Sequence, residues 1–289
     1  QLTFTHITDA AAVESPLAVD TSLTEVYWNS LNGQPLPATL QEAREYADRL
    51  EERYGVTILL SAQAQEACDA VWDATITTTD QWPLEDEPHA IARMLEALDR
   101  TLALYPDGFF RQMKNTMGEG GVRFMPVGHI ENAVNAIGLT YETYGWQNIY
   151  IDVTIDAFDG TICHEIWHAI EGVLLTRNWD AINQEEWAAC NPAGFSYNED
   201  AETPDSNPER WTFFYEFSAQ DVYFVDAYSR TNAKEDRARI MEYIMATEDV
   251  AGALVQSPAI AQKLQIMCRA IRENFDTSSW GELRWERVL

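Results

Sequence analysis

The sequence predicts an α+β fold in which a small sheet precedes a mostly helical second half. Segments rich in β-branched and aromatic residues occur before residue 155, whereas apolar residues recur at helical spacing after it. With 289 residues, 46% of them apolar, the chain can bury a substantial core. We expect an irregular segment over 1–38 and a single domain over 39–289, with a sheet lobe to about residue 176 and a helical lobe over 177–289.

Helices and strands alternate in the first half of the chain. A helix from about Thr39 ends at Gly55, because glycine tolerates the left-handed conformation that closes a helix. Apolar residues at helical spacing predict a second long helix over 89–105, and residues 75–88 are expected to form a loop. The other predicted elements are a short helix over 63–72 and strands over 56–60, 122–127, 133–141 and 147–153.

The second half is predicted to be helical. A helix that contains the motif described below runs to about Thr176, and a short helix follows over 184–189. Residues 191–209 are rich in Pro, Gly, Asn and acidic residues, which predicts a loop. Further helices are predicted over 211–226, 233–247 and 258–275.

Composition excludes several classes of partner. The net charge of −28, from 47 acidic and 19 basic residues, argues against nucleic acid and anionic membranes, since both attract positive surface. No stretch of about 18 uncharged apolar residues occurs, so no transmembrane helix is expected.

The four cysteines are widely spaced and form no CxxC pair, which does not favour a cysteine-based zinc site.

Residues 164–168 read HEIWH, which is an HExxH motif. On a helix, residues four apart share one face, so His164 and His168 can present two imidazoles to one zinc ion. A strand-like segment and a turn precede the motif, and apolar residues follow at helical spacing, as expected for a buried helix. Glu165 lies beside the two histidines and is the candidate general base that accepts a proton from a water at the metal.

Catalytic zinc usually has three protein ligands, so a further ligand is needed. The HExxHxxGxxH pattern is excluded, because Glu171 and Leu174 stand where it requires Gly and His. The HExxH-x18-E pattern needs a glutamate at Trp187, and Glu186 misses that position by about 100 degrees around a helix.

Together with HExxH, residues 228–238, YSRTNAKEDRA, resemble a bacterial family of zinc-binding metallopeptidases. They are similar, more distantly, to the catalytic domain of anthrax toxin lethal factor. In those proteins a tyrosine precedes the glutamate ligand by seven residues, as Tyr228 precedes Glu235. Residues 92–110, a helix followed by YPDGFF, also look like this family, so the likeness covers about residues 39–245.

The resemblance implies a zincin-like metallopeptidase of the gluzincin type, with a small mixed sheet packed on the HExxH helix. It implies Zn²⁺ bound by His164, His168 and Glu235, and a Tyr228 hydroxyl that stabilises the oxyanion. It also implies that Asp236 contacts the side chain of a ligand without binding the metal itself.

Alternatives remain open for the residues that rest on the resemblance. Asn232 and Glu235 also fit a capping box at the start of a helix. Tyr228 also fits an aromatic face packed in the core. The other candidate ligands are Glu171, Glu185, Glu199 and Asp200.

These features predict a zinc metallopeptidase that acts on a peptide or protein substrate. The alternative is a non-catalytic cell-surface binding or scaffold protein that retains a zincin fold, because the family often has a second glutamate where this chain has Arg239. Hydrolysis of another amide bond is a third interpretation. The resemblance and the start at Gln1 predict a secreted or lipid-anchored, extracellular location, with the signal or anchor segment absent from this sequence.

Overall fold

The structure of the chain is a computed structural model, and it combines a mixed sheet with helices in an α+β arrangement. It describes residues 36–132, 136–197, 207, 209–216, 218–246 and 248–289. Most of the segment predicted to be irregular, residues 1–35, lies outside this part of the chain. No helix among the described residues is long and apolar enough to span a membrane.

A mixed sheet of five strands forms the centre of the fold. Strand β3 pairs in parallel with β1 and β5, whereas β2 is antiparallel to β3 and β4 is antiparallel to β5. The order β1-β3-β5-β4 places β4 at one end of the sheet. The strands are β1 (Thr57–Ile58), β2 (Thr75–Thr78), β3 (Gly121–Glu131), β4 (Gly138–Thr143) and β5 (Trp146–Asp152).

Helices cover both faces of this sheet. The first begins at a capping box between Thr39 and Glu42 and ends at Gly55 in the left-handed conformation. The helices are α1 (Leu40–Tyr54), α2 (Gln65–Asp69), α3 (Glu87–Leu102), α4 (Phe158–Arg177), α5 (Gln184–Ala189), α6 (Ala233–Ala246), α7 (Glu248–Leu254) and α8 (Pro258–Asn274).

Successive side chains of the central strands point to opposite faces of the sheet, so the core has two parts, one on each face. Phe124 and Ile149 face the larger cluster, which includes residues of α1, α3, α4, α6 and α8. Met125 and Tyr150 face the opposite cluster, where the Tyr150 hydroxyl donates to the Ala67 carbonyl of α2 at 2.6 Å.

Helix α4 contains the HExxH motif and is buried along most of its length. It packs against α3, α6, β4 and β5. Ile162, Ile166, Ala169 and Val173 are all buried, so the predicted apolar stripe of the motif helix is observed.

Two predicted elements are wrong. Residues 75–78 form β2 rather than part of a loop, because they pair with β3. Residues 211–226 do not form the predicted helix: over the described positions the backbone folds back on itself, with a bridge between Thr212 and Phe224 and a hydrogen bond of 2.8 Å from Tyr223 N to Trp211 O.

Other elements differ from prediction in their ends. The strand predicted over 133–141 is observed as β4, and residues 133–135 lie outside the described part of the chain. Strand β1 is shorter and β3 longer than expected. The short helix α7 was not predicted.

All four cysteines are buried and free.

Candidate metal centre

Helix α4 holds the two histidines of the motif on one face. The ring centroids of His164 and His168 are 4.8 Å apart, with the ring planes at 77°. Their Nε2 atoms are 3.1 Å apart. The helical spacing of the motif therefore brings two imidazole nitrogens together, as the sequence predicts.

Glu235 reaches the same place from the first turn of α6. The Asn232 side chain accepts hydrogen bonds from the backbone N–H groups of Lys234 and Glu235, so Asn232 caps this helix. The Glu235 carboxylate instead points at the histidines: its Oε2 is 3.0 Å from His164 Nε2 and 3.4 Å from His168 Nε2.

The three side chains fit a zinc ion by donor type and by size. Possible ligand atoms of His164, His168 and Glu235 all lie within 4.8 Å of one another. Tetrahedral ligands at about 2.0–2.2 Å from zinc lie about 3.3–3.6 Å from each other. The three observed separations of 3.0, 3.1 and 3.4 Å are close to this range.

Electrostatics also favour a cation at this point. Burial lowers the pKa of His164, but hydrogen bonds to Glu235 and Glu242 outweigh it and raise the pKa to about 10. Burial would raise the pKa of Glu235, but hydrogen bonds from His164 and His168 hold it well below its usual value. The carboxylates thus stabilise positive charge at the centre.

Glu165 lies in a buried position beside the edge strand β4. Its side chain accepts a hydrogen bond at Oε2 from the Thr140 hydroxyl at 2.7 Å. A Cβ atom added to Gly138 would lie 2.9 Å from Glu165 Cγ, so only glycine leaves room for the carboxylate here. Burial raises the pKa of Glu165, although His168 and His164 oppose this shift.

Tyr228 lies in a short 3-10 turn, Tyr228–Arg230, that precedes α6. Its ring centroid is 6.2 Å from that of His164. Burial and the charges of Glu235 and Glu165 raise the pKa of Tyr228. The phenol is therefore protonated at neutral pH and can donate a hydrogen bond at the centre. Its catalytic role stays a prediction.

The other candidate ligands lie elsewhere or outside the described residues. Glu171 is buried and binds the Arg237 guanidinium at 2.9 and 2.5 Å. Glu185 is exposed in the first turn of α5. Glu199 and Asp200 lie outside the described part of the chain.

Asp236 is placed differently from the expectation. Its carboxylate forms an ion pair of 2.7 Å with Lys263 and accepts a hydrogen bond of 2.7 Å from the Tyr197 hydroxyl. Both Asp236 and Lys263 are completely buried. The contacts of Asp236 therefore fix the helix that carries Glu235, rather than a histidine.

Sequence analysis missed two residues of the centre. Glu242 accepts a hydrogen bond from His164 Nδ1 at 3.1 Å, and Thr140 binds Glu165. Glu242 follows Glu235 by seven residues, which on a helix returns to within about 20 degrees of the same face. That spacing could have identified Glu242. The approach of Thr140 to Glu165, in contrast, depends on the packing of segments that are distant in the sequence.

Comparison with known proteins adds one distant likeness. No protein-family model and no curated protein matches the chain. A solved structure from Bacteroides caccae, named a "putative zinc-binding metallo-peptidase", aligns with a TM-score of 0.45 at 14% identity over 88% of this chain and 92% of that chain. So distant a likeness does not assign a function or any site residue, so both rest on the geometry above.

Proposed function

We propose that this protein is a zinc-dependent metallopeptidase that hydrolyses peptide bonds with Glu165 as general base. The observation that supports it is the convergence of His164 Nε2, His168 Nε2 and Glu235 Oε2 beside a buried glutamate. Two imidazoles and one carboxylate form a ligand set known from catalytic zinc sites. Three protein ligands leave the fourth coordination position of the zinc ion for water or substrate.

Zinc, when bound, lowers the pKa of a water ligand and polarises a substrate carbonyl. Glu165 accepts the proton of the attacking water and returns it to the leaving amine. The Thr140 hydroxyl directs one carboxylate oxygen of Glu165. The Tyr228 hydroxyl donates a hydrogen bond to the oxyanion that forms as the carbonyl is attacked.

Strand β4 is the candidate surface for binding an extended peptide. Within the sheet β5 lies between β3 and β4, so β4 is at the end of this order. Thr140 of β4 contacts the general base directly. A peptide that pairs with β4 therefore passes its backbone close to Glu165, with main-chain hydrogen bonds providing affinity.

Replacing Glu165 with Gln tests the proposed role of this residue. The substitution keeps the size of the side chain but removes its basicity, so kcat/KM toward a cleaved peptide should fall by about 10²- to 10⁴-fold. Zinc content should not change, because Glu165 is not a proposed ligand. The measurement is cleavage of a broad peptide library by the full chain, with the exposed Glu185→Gln as control.

Full activity in Glu165→Gln contradicts the proposed mechanism. Wild-type protein that holds zinc but cleaves nothing in the library would instead favour the binding or scaffold protein. Wild-type protein that binds no metal would contradict the proposed peptidase, because its mechanism needs the ion.

A further inference from the structure

The ring of His164 is held on the side away from the centre by Glu242. A single oxygen, Oε2 of Glu242, lies 3.1 Å from His164 Nδ1 and also accepts a hydrogen bond from the Arg239 guanidinium. The side chains of Glu242 and Arg239 are 16% and 7% exposed. The hydrogen bond to His164 is therefore largely shielded from water. Charge-assisted hydrogen bonds are strong in such a shielded position.

Arg239 is fixed in turn by Asp226. Its Nε and Nη2 atoms donate to Asp226 Oδ2 at 3.1 and 2.6 Å. Nη2 also lies 3.1 Å from the Tyr243 hydroxyl. These contacts aim the remaining guanidinium nitrogen, Nη1, at Glu242, so the direction of the glutamate carboxylate is set by a buried partner.

The second oxygen of Asp226 stabilises the turn that carries Tyr228. Asp226 Oδ1 accepts hydrogen bonds from the backbone N–H of Ser229 at 2.9 Å and from its hydroxyl at 3.1 Å. The contacts therefore run from the Tyr228 turn through Asp226, Arg239 and Glu242 to His164. One buried group of charges holds two parts of the candidate centre.

We infer that Glu242 is a positioning residue that holds the Nδ1 proton of His164, so that the Nε2 lone pair faces the metal, and that Arg239 directs Glu242. The inference rests on the proposed zinc site. Histidine ligands of metals commonly donate their other ring N–H to a carboxylate, which fixes the ring orientation and strengthens the ligand. Arg239, which first favoured a non-catalytic protein, here contributes to the geometry of a ligand.

Zinc affinity of the metal-free full chain tests this inference. Removing such a carboxylate typically costs 10- to 100-fold in metal affinity, so Glu242→Gln should weaken zinc binding by about that factor in competition with a chromophoric chelator. Glu171→Gln is the matched control: Glu171 also forms a buried ion pair between α4 and α6, with Arg237, but contacts no proposed ligand. Its zinc affinity reports the cost of losing an ion pair that holds α6 on α4, and it should fall less than that of Glu242→Gln.

A spectroscopic measurement separates positioning from general loss of stability. The visible absorption spectrum of the Co²⁺-substituted protein reports the geometry of the ligands, and we expect a larger change in Glu242→Gln than in Glu171→Gln. Arg239→Lys is a second, milder variant: lysine keeps the charge but cannot contact Asp226 and Glu242 with a planar fork. It should weaken zinc binding in the same direction.

The outcomes are distinguishable. If Glu242→Gln binds zinc as tightly as Glu171→Gln and shows the same Co²⁺ spectrum, the positioning role is wrong while the proposed function stands. If the wild-type protein binds no zinc, the proposed function is wrong and the positioning role is wrong with it.

Discussion

At the scale of single residues, each proposed catalytic group has a partner that limits its orientation. Glu242 holds His164, Thr140 holds Glu165, and both histidines hold Glu235. Groups fixed before the substrate arrives need little reorganisation during the reaction. The same partners are the residues whose replacement should alter the orientation of these groups.

The Tyr228 hydroxyl should matter for kcat rather than for metal binding. Losing one donor to an oxyanion typically costs about 10²- to 10³-fold in kcat, and we expect a fall of this size in Tyr228→Phe. Zinc content should stay as in the wild type, because the proposed ligands are unchanged. Steady-state kinetics on a cleaved peptide measure the effect, with the half-buried Tyr223→Phe as control.

Unchanged kcat in Tyr228→Phe would assign this ring to packing, the alternative that the sequence left open. The phenyl group retains most of the buried area, so a change in stability alone would not support the catalytic role.

The residues of the centre differ in how readily the sequence identifies them. His164, Glu165 and His168 can be predicted because residues on one helix have a fixed geometry. Glu235 came only from a resemblance, since nothing local indicates which of several distant acidic residues reaches the motif. Thr140 was missed because its position depends on the register of β4.

At the scale of elements, the close approach of β4 to α4 determines the surroundings of the general base. Gly138 lies where a Cβ atom would be 2.7 Å from Thr161 Cγ2 and 2.9 Å from Glu165 Cγ. Real Cβ contacts are almost never this short, so any larger residue would force the strand and the helix apart. The spacing between these two elements is therefore tied to glycine.

Gly138→Ala should consequently impair both stability and activity. Overpacking a buried contact typically costs about 1–3 kcal/mol, and the added methyl group would displace the Glu165 carboxylate. Thermal unfolding and peptide cleavage measure the two effects. Gly252→Ala is the control, because an added Cβ there meets nothing within 4 Å. Equal stability and activity in both variants would contradict the close packing of β4 on α4.

The elements that sequence analysis predicted wrongly depend on contacts between distant segments. Strand β2 has a polar sequence, Thr-Ile-Thr-Thr, and is a strand because it pairs with β3. The segment 211–226 is rich in aromatic residues, whose intrinsic helix propensity is modest. Its backbone instead pairs with itself, and Trp211 has a positive φ of 65°.

At the scale of the whole molecule, α6 is fixed by buried ion pairs on several sides. Arg237 binds Glu171 of α4, Asp236 binds Lys263 of α8, and Arg239 binds Asp226. Breaking a buried pair leaves an uncompensated charge and is strongly destabilising. These pairs therefore define the position of the helix that contributes Glu235.

The candidate centre joins segments that are far apart in the chain. His164 and Glu235 are separated by 71 residues, yet their donor atoms are 3.0 Å apart. A zinc ion bound there would stabilise the folded chain by mass action, because the unfolded chain does not hold these groups together. Zinc binding at this site would therefore require the folded molecule and would depend on the placement of α6 against α4.

The most direct test is the zinc content of the folded full chain after dialysis against a weak chelator. We predict about one zinc ion per chain in the wild type and in the control Glu185→Ala, since a site of this kind holds a single ion. Glu235→Ala, which removes the ligand supplied by α6, should retain little or none. Wild-type protein without zinc, or Glu235→Ala with as much zinc as the wild type, would contradict the proposed centre.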